Sequence, residues 1–555
     1  MHARTYTSTL DGMEGILIDV EVNLSKGLPY THIVGYTDNV INESIERIRA
    51  TLINCGYQFP ASRVTINLAP AYMKKRGSHY DLPIAVSVLS AAQMTKIKIN
   101  MKEYAFFGEL ALDGKINPVR GLLPLAMCAE EHDIKNIVVP YDNRYEVSLL
   151  EKSNILLVKS FGEVVEILEG KEEKYRLNFQ ENILNNVDNA TDHMDFSQVY
   201  GQENVKQALT VAAAGGHSIL MMGSPGTGKT MLAQRFIDIL PPLTYQEQVD
   251  IIKVYSIGGL MKEGKPLINQ RPFRMPHNSI TSAAFFGGGR EPKPGEISYA
   301  HNGVLFLDEL QLFDKKIIDL MRTPLEDKEI TLTRNRHSYV YPADVILVAA
   351  ANPCKCGYRG DPIHVCTCTK TQMRSYLDKM SGPFVDRIDM HVRMNVVDYE
   401  AIDKKQSVLT TAQMKKSVMK AREIQKERYK NEKYNLNSHL DEEGIKKFIQ
   451  LDNQCNQFMK DAYETMGLSV RAYNRILKVA RTIADINNEE KISICHLAEA
   501  IQYRNLGELY RHDEFERYDE LHNQETIQSA TKLRWSKRGV EFHDRKTEQH
   551  GDSCN

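Results

Sequence analysis

Apolar residues along this chain fall into two rhythms. In the first 170 residues, short runs such as Gly15–Val22, Arg63–Asn67 and Asn136–Val139 read as strands, and they alternate with stretches at helical spacing over Asn39–Asn54, Leu82–Ala92 and Leu122–His132. That alternation predicts an α/β or α+β domain over residues 1–170. Residues 171–195 are charged and Asn-rich with few apolar positions, the composition of a linker. From 196 to 397 buried-strand runs return, including His217–Met222, Val304–Leu307 and Val345–Ala351. Residues 398–506 carry helical periodicity, clearest in Arg475–Ala484, and predict a helical C-terminal domain. Beyond it, residues 507–555 are charged and polar and are expected to be disordered. Trp535 lies there among basic residues, where a solvated tail is favoured over a nucleic-acid contact.

Composition narrows the class. The 555 residues suggest three or four domains at roughly 150 residues each, and 42% hydrophobic residues can fill several cores. No run approaches the ~18 uninterrupted apolar residues of a membrane span, and the first residues lack the apolar core of a secretory signal, so a cytoplasmic protein is expected. Seventy basic and 72 acidic residues leave a net charge of −2. A nucleic-acid site must therefore be a local patch or a pore. Nine cysteines, an odd number in such a chain, argue against a disulfide framework.

The chemistry is concentrated in two motifs. Gly223, Ser224, Pro225, Gly226, Thr227, Gly228, Lys229 and Thr230 fit the P-loop pattern G-x-x-x-x-G-K-[ST], between an apolar strand and helical spacing over Met231–Ile239. Glycines without Cβ atoms let successive backbone N–H groups turn inward around phosphate oxygens. Lys229 would reach the β- and γ-phosphates of ATP, and the Thr230 hydroxyl would complete a Mg²⁺ shell. Downstream, Asp308 and Glu309 follow Val304–Leu307 at the C-terminal end of a strand, where open α/β sheets bind ligands. Asp308 would hold Mg²⁺ and Glu309 would polarise the attacking water. A third cluster, Cys354, Cys356, Cys366 and Cys368, reads C-x-C, nine residues, C-x-C within loop 354–368. It can present four thiolates to Zn²⁺, with His364 as a substitute ligand; reduced cysteines packed in a loop are the other reading.

Longer segments carry a resemblance. GQENVKQAL (201–209), RPFRMPHNSI (271–280), PGEISYAHNGVLFLDEL (294–310) and SGPFVDRIDMHV (381–392) resemble the magnesium-chelatase-like AAA+ ATPases, and within them the YifB/ComM group, over about residues 5–506. The resemblance implies an N-terminal Lon-protease-like α+β domain, a doubly wound P-loop AAA+ core of the helix-2-insert clade and a C-terminal helical lid. It assigns Asn352 as the sensor-1 residue, Arg387 as an arginine finger supplied to a neighbouring subunit, and Arg471 as sensor 2, with Arg475 as the alternative. It also implies a homo-hexamer acting on branched or single-stranded DNA, as a helicase in branch migration during recombination or natural transformation. Arg334 and Arg336, alternating on one face of a pore hairpin over 330–342, would touch DNA. In the Lon-like domain, His79 occupies the nucleophile position, beside Ser78, and Leu123 the lysine position. Without a lysine to activate a serine, proteolysis is not expected. The competing readings are a magnesium-chelatase motor subunit and an ATP-dependent remodeller of a protein substrate.

Overall fold

A computed structural model describes residues 1–177, 195–261, 269–289, 292–334, 337–397 and 409–504. The first module is built on a seven-stranded mixed sheet. Its order is Tyr30–Val34, Arg63–Ala69, Glu14–Ser25, His2–Asp11, Tyr104–Phe106, Asn136–Pro140 and Asn154–Val158. His2–Asp11 and Glu14–Ser25 pair antiparallel from His2 opposite Asn23 to Asp11 opposite Glu14, and Gly12 at φ +65° allows the reversal between them. Side chains alternate between two cores, as a two-residue period requires. Tyr104 and Phe106 enter one with helix Asp81–Ala91; Ala105 enters the other with helix Leu122–Glu131. Residues 171–177, at the start of the expected linker, pack on this module through Tyr175 and Leu177. Most of that linker, and all of the 507–555 tail with Trp535, lie outside the described residues.

The second module carries a five-stranded parallel sheet in the order Phe273–Arg274, Val304–Leu307, Ile346–Ala351, Ile219–Gly223, Met390–Met394. Both faces are covered, which is why its strands are apolar throughout. Ile219, Met221, Val304 and Phe306 face a core shared with the C-terminal helices; Leu220, Met222, Leu305 and Leu307 face the other side. The architecture is thus mixed α/β around a parallel sheet, followed by a helical C-terminal region.

Helices Thr411–Arg428 and Val470–Ile486 close against helix Glu203–Gly215. Arg422 donates to the carbonyl of Ala213, at 2.7 Å from Nη2. Behind them Asp485, 1% exposed, accepts from Arg428 (2.9 Å), Asn437 (2.9 Å) and Arg481 (3.1 Å). Removing one partner of a buried ionic cluster leaves the others charged and unpaired. Asp485→Ala is therefore expected to destabilise the C-terminal region by about 3–5 kcal/mol, read as a lower urea midpoint. A change below about 1 kcal/mol, the value of an exposed pair, would contradict this account.

The first module docks on helix Tyr245–Gly258 of the second. Val249 and Ile252 enter the core of helix Leu122–Glu131, and Arg120 donates to the carbonyls of Ile257 (3.0 Å) and Gly258 (2.6 Å). Among the described residues no helix is long and apolar enough to cross a membrane.

Candidate functional site: a nucleotide cradle and a separate arginine face

Strand Ile219–Gly223 ends in the P-loop. At Gly223 a Cβ would lie 2.8 Å from that of Met394, so only glycine fits between the strand and its neighbour. Gly226 and Gly228 hold φ of +81° and +91°, which turns the loop back on itself and opens the helical run Lys229–Arg235. Lys229 Nζ donates to the carbonyls of Gly223 (2.7 Å) and Ser224 (2.9 Å) and to Asn352 Oδ1 (3.0 Å). All three acceptors are neutral. Burial pulls the Lys229 pKa below its ordinary value, opposed by the charges of Asp308 and Glu309. An ammonium in that setting lacks an anion.

Thr230 Oγ1 donates to Asp308 Oδ2 at 2.7 Å, which joins the P-loop to the end of strand Val304–Leu307. Asp308 Oδ1 accepts the Glu309 N–H at 2.9 Å. Glu309 takes a left-handed conformation (φ +51°, ψ +51°) that non-glycine residues seldom adopt, and its side chain is exposed at the mouth of the site. Strained residues of this kind cluster at functional sites. Asn352 follows strand Ile346–Ala351, parallel to the P-loop strand, and this pairing carries it to Lys229.

These residues fit a magnesium nucleotide. The glycine cradle leaves room at Gly226 and Gly228, where an added Cβ would meet nothing within 4 Å. Lys229 and the loop N–H groups would hold the phosphates. Thr230 and Asp308 supply adjacent hard oxygens suited to Mg²⁺, which neutralises phosphate charge when bound.

Arg387 and Arg471 stand elsewhere. Arg387 Nε lies 3.0 Å from Glu326 Oε1, and Arg471 Nη2 lies 3.6 Å from the same oxygen. Arg475 pairs with Asp389 at 2.9 Å instead. All five line a cavity of about 470 Å³ together with Lys328. Among the described residues, neither Arg387 nor Arg471 makes a polar contact with Lys229, Thr230 or Asp308. Glu326 has no signal in the chain pattern, because its role depends on partners 61 and 145 residues away that only folding brings together.

Three family patterns match the chain. The family pattern described as magnesium chelatase, subunit ChlI, covers residues 195–402, a second ChlI pattern covers 20–143, and the ChlI C-terminal pattern covers 409–504. Competence protein ComM of Haemophilus influenzae is 39% identical over 508 residues, 90% of this chain and 97% of that protein. YifB of Escherichia coli is 41% identical over 512 residues, 91% and 98% of the two chains. The chain belongs to the ComM/YifB family of magnesium-chelatase-like proteins. The magnesium-chelatase 38 kDa subunit of Rhodobacter capsulatus is more distant, 26% identical over 175 residues, 28% of this chain and 50% of that subunit.

In this ComM/YifB-family chain the hairpin Glu329–Arg334 with His337–Pro342 is antiparallel, and Arg334, exposed, pairs with His337. Arg336, the other arginine expected on this hairpin, lies outside the described residues. The turn of the first module at Gly12 lies against Tyr339 of this hairpin.

At the two positions expected to match a protease dyad, the buried His79 ring contacts the carbonyl of Ser8 at 2.9 Å, burial lowers its pKa to about 4, and Leu123 is fully buried. Ser78 donates to Glu109. The buried lysine nearby, Lys75, donates to the carbonyls of Pro70 and Met73, which occupies it structurally.

Loop 354–368 brings all four cysteines together, their sulfurs within 4.8 Å of one another. His364 does not join them. It is exposed, bonded to Asp361 and tilted against the Tyr358 ring, outside the group of four sulfurs.

Proposed function

We propose that this chain is an ATP-hydrolysing ring motor, a homo-hexamer that acts on branched or single-stranded DNA as a branch-migration helicase. The observation that carries the reading is the division of the site. Lys229, Thr230, Asp308 and Asn352 converge on one cradle, whereas Arg387 and Arg471 share Glu326 on another face. One subunit then lacks the cation its own nucleotide needs, and a neighbour's arginine face supplies it.

In this reading Lys229 and the loop amides bind the phosphates, Thr230 and Asp308 hold Mg²⁺, and Glu309, next to Asp308, orients water and accepts its proton. Asn352 positions that water, and Arg387 of a neighbouring subunit stabilises the charge that develops on phosphoryl transfer. Arg471 serves beside it as sensor 2, since Arg475 is held by Asp389. The first module, a Lon-like fold without its Ser–Lys dyad, organises the ring or contacts DNA, and the exposed end of the hairpin at Arg334 touches phosphates. The name of the Haemophilus influenzae relative ties that protein to competence, so recombination of incoming DNA in the cytoplasm is the proposed setting.

ATPase rate with and without a synthetic four-way DNA junction tests this, with labelled-strand release measured in parallel and Glu309→Gln as the inert control. Stimulation and ATP-dependent strand release are expected. If each of six subunits makes one phosphate contact, log K against log[salt] has a slope of about −5. ATPase indifferent to every DNA form would sink the DNA reading. Because the family patterns are named for magnesium chelatase, stimulation by porphyrin instead would favour a chelatase-type motor.

A further inference from the structure

The four-cysteine loop lies beside the nucleotide cradle, and its geometry has no packing explanation. Cys354 Sγ is 3.3 Å from Cys356 Sγ and 3.6 Å from Cys366 Sγ, and the latter two are 3.5 Å apart. All four are free thiols. Only Cys354 is buried, and none of the four belongs to a hydrophobic core cluster, so burial of apolar surface does not draw them together. A tetrahedral zinc ion with Zn–S near 2.3 Å requires sulfurs about 3.8 Å apart. The backbone prepares the same arrangement. Cys356 N–H donates to Cys368 Sγ at 3.3 Å, and Gly357 turns the first C-x-C arm at φ +87° while its N–H donates to the Cys354 carbonyl at 3.0 Å. Among the described residues no histidine or carboxylate joins the four sulfurs. An all-thiolate set of this kind selects a soft or borderline ion and leaves no open position for catalysis.

The surroundings say what such an ion would do. Cys354 is two residues beyond Asn352, which holds Lys229. At Gly357 a Cβ would come within 2.7 Å of Pro225 Cδ, so the knuckle presses directly on the P-loop. Asp361, whose side chain is 2% exposed, accepts the N–H groups of Ile363 (3.0 Å) and His364 (2.9 Å) and so shapes the loop between its two arms. Arg393, from the strand beside the P-loop strand, donates to the Gly360 carbonyl at 3.0 Å. The P-loop is therefore flanked by a loop whose two C-x-C arms meet in the sulfur cluster.

We propose that Cys354, Cys356, Cys366 and Cys368 bind one zinc ion, and that this ion braces the P-loop from outside and so sets nucleotide affinity. Structural zinc sites contribute directly to local folding, and a pre-shaped loop binds more tightly because less ordering remains to be done on binding.

The test uses the full chain purified without chelators. Elemental analysis is expected to find about one zinc per chain, falling below about a tenth in the Cys366→Ser/Cys368→Ser double variant, because thiolates are the ligands. A cysteine variant can simply misfold, so the second arm keeps the native chain. A mercurial releases thiolate-bound metal from folded protein, the zinc is followed with a chromogenic chelator, and affinity for a fluorescent ATP analogue is read before and after, then again after thiol and zinc are restored. Nucleotide affinity is expected to fall about tenfold on release and to recover. Cobalt substitution should give the intense thiolate charge-transfer absorption of a tetrahedral site. A zinc-free native chain that takes up none on reconstitution, an iron–sulfur chromophore, or zinc retained by the double variant would each overturn the site. Zinc release with unchanged nucleotide affinity would overturn the brace.

Discussion

Arg387→Ala is expected to reduce ATP turnover by about 10³–10⁵-fold while leaving nucleotide binding nearly intact. In the described fold Arg387 makes no polar contact with its own Lys229 or Thr230; it is held instead by Glu326 and the Pro383 carbonyl. Its removal therefore spares the cradle that binds ATP and takes away the charge that a neighbour's transition state would use. Mixing experiments separate this from a local folding defect. Glu309→Gln subunits keep the arginine, and Arg387→Ala subunits keep the cradle and Glu309. Each is inert alone, yet mixed rings contain interfaces in which an intact cradle meets an intact arginine. Turnover is expected to reappear on mixing and to depend on the ratio of the two chains. If Arg387→Ala hydrolyses ATP at the wild-type rate, the trans assignment is wrong. If mixing restores nothing although each variant binds nucleotide and assembles, the two groups do not act across one interface.

Lys229→Ala should weaken nucleotide binding by about 10²–10³-fold, since truncating one partner of a buried charge-assisted pair costs about 2–5 kcal/mol. Its effect on the free protein should be the opposite of a core mutation. Lys229 donates only to neutral oxygens, and burial lowers its pKa, so the charged form is held at a cost until an anion arrives. Unliganded Lys229→Ala is expected to unfold at the same temperature as the parent or slightly higher, and to lose the stabilisation that ATP gives the parent. A lysine whose folded pKa lies below its unfolded value binds its proton less readily when folded, so its contribution to stability becomes more favourable as pH rises through the depressed value. Thermal unfolding with and without nucleotide at several pH values reads all of this. A large loss of stability in the unliganded variant would show that Lys229 is structural.

The nucleotide cradle was legible along the chain because its parts are local. Gly223 to Thr230 are contiguous, and the reasons for glycine at 226 and 228 and for a cation at 229 belong to the backbone and to phosphate, so spacing alone carries them. Asp308 and Glu309 were legible for a related reason: a strand apolar on both faces ends in two carboxylates, and strand ends are where parallel sheets present ligands. The cysteine spacing was equally visible, but not its choice of ligands. His364 lies within the same loop as the four thiols, and only the fold places it against Asp361 and Tyr358, outside the group of four sulfurs.

Sequence by itself thus determined the covalently close chemistry: the phosphate loop, the acidic strand end, the two-residue and helical periods that build mixed α/β modules, and a helical C-terminal region. Tertiary structure alone decided what depends on distant chain segments meeting. Parallel pairing of strands Ile219–Gly223 and Ile346–Ala351 brings Asn352 to Lys229, and Glu326 gathers Arg387 and Arg471 while Asp389 takes Arg475. It also set the knuckle against Pro225 and the first module against helix Tyr245–Gly258. The physical reason is the reach of each interaction. Backbone preference and side-chain period act over a few residues, whereas ion pairs and packing act through space, and no local pattern records which distant partner a charge will find.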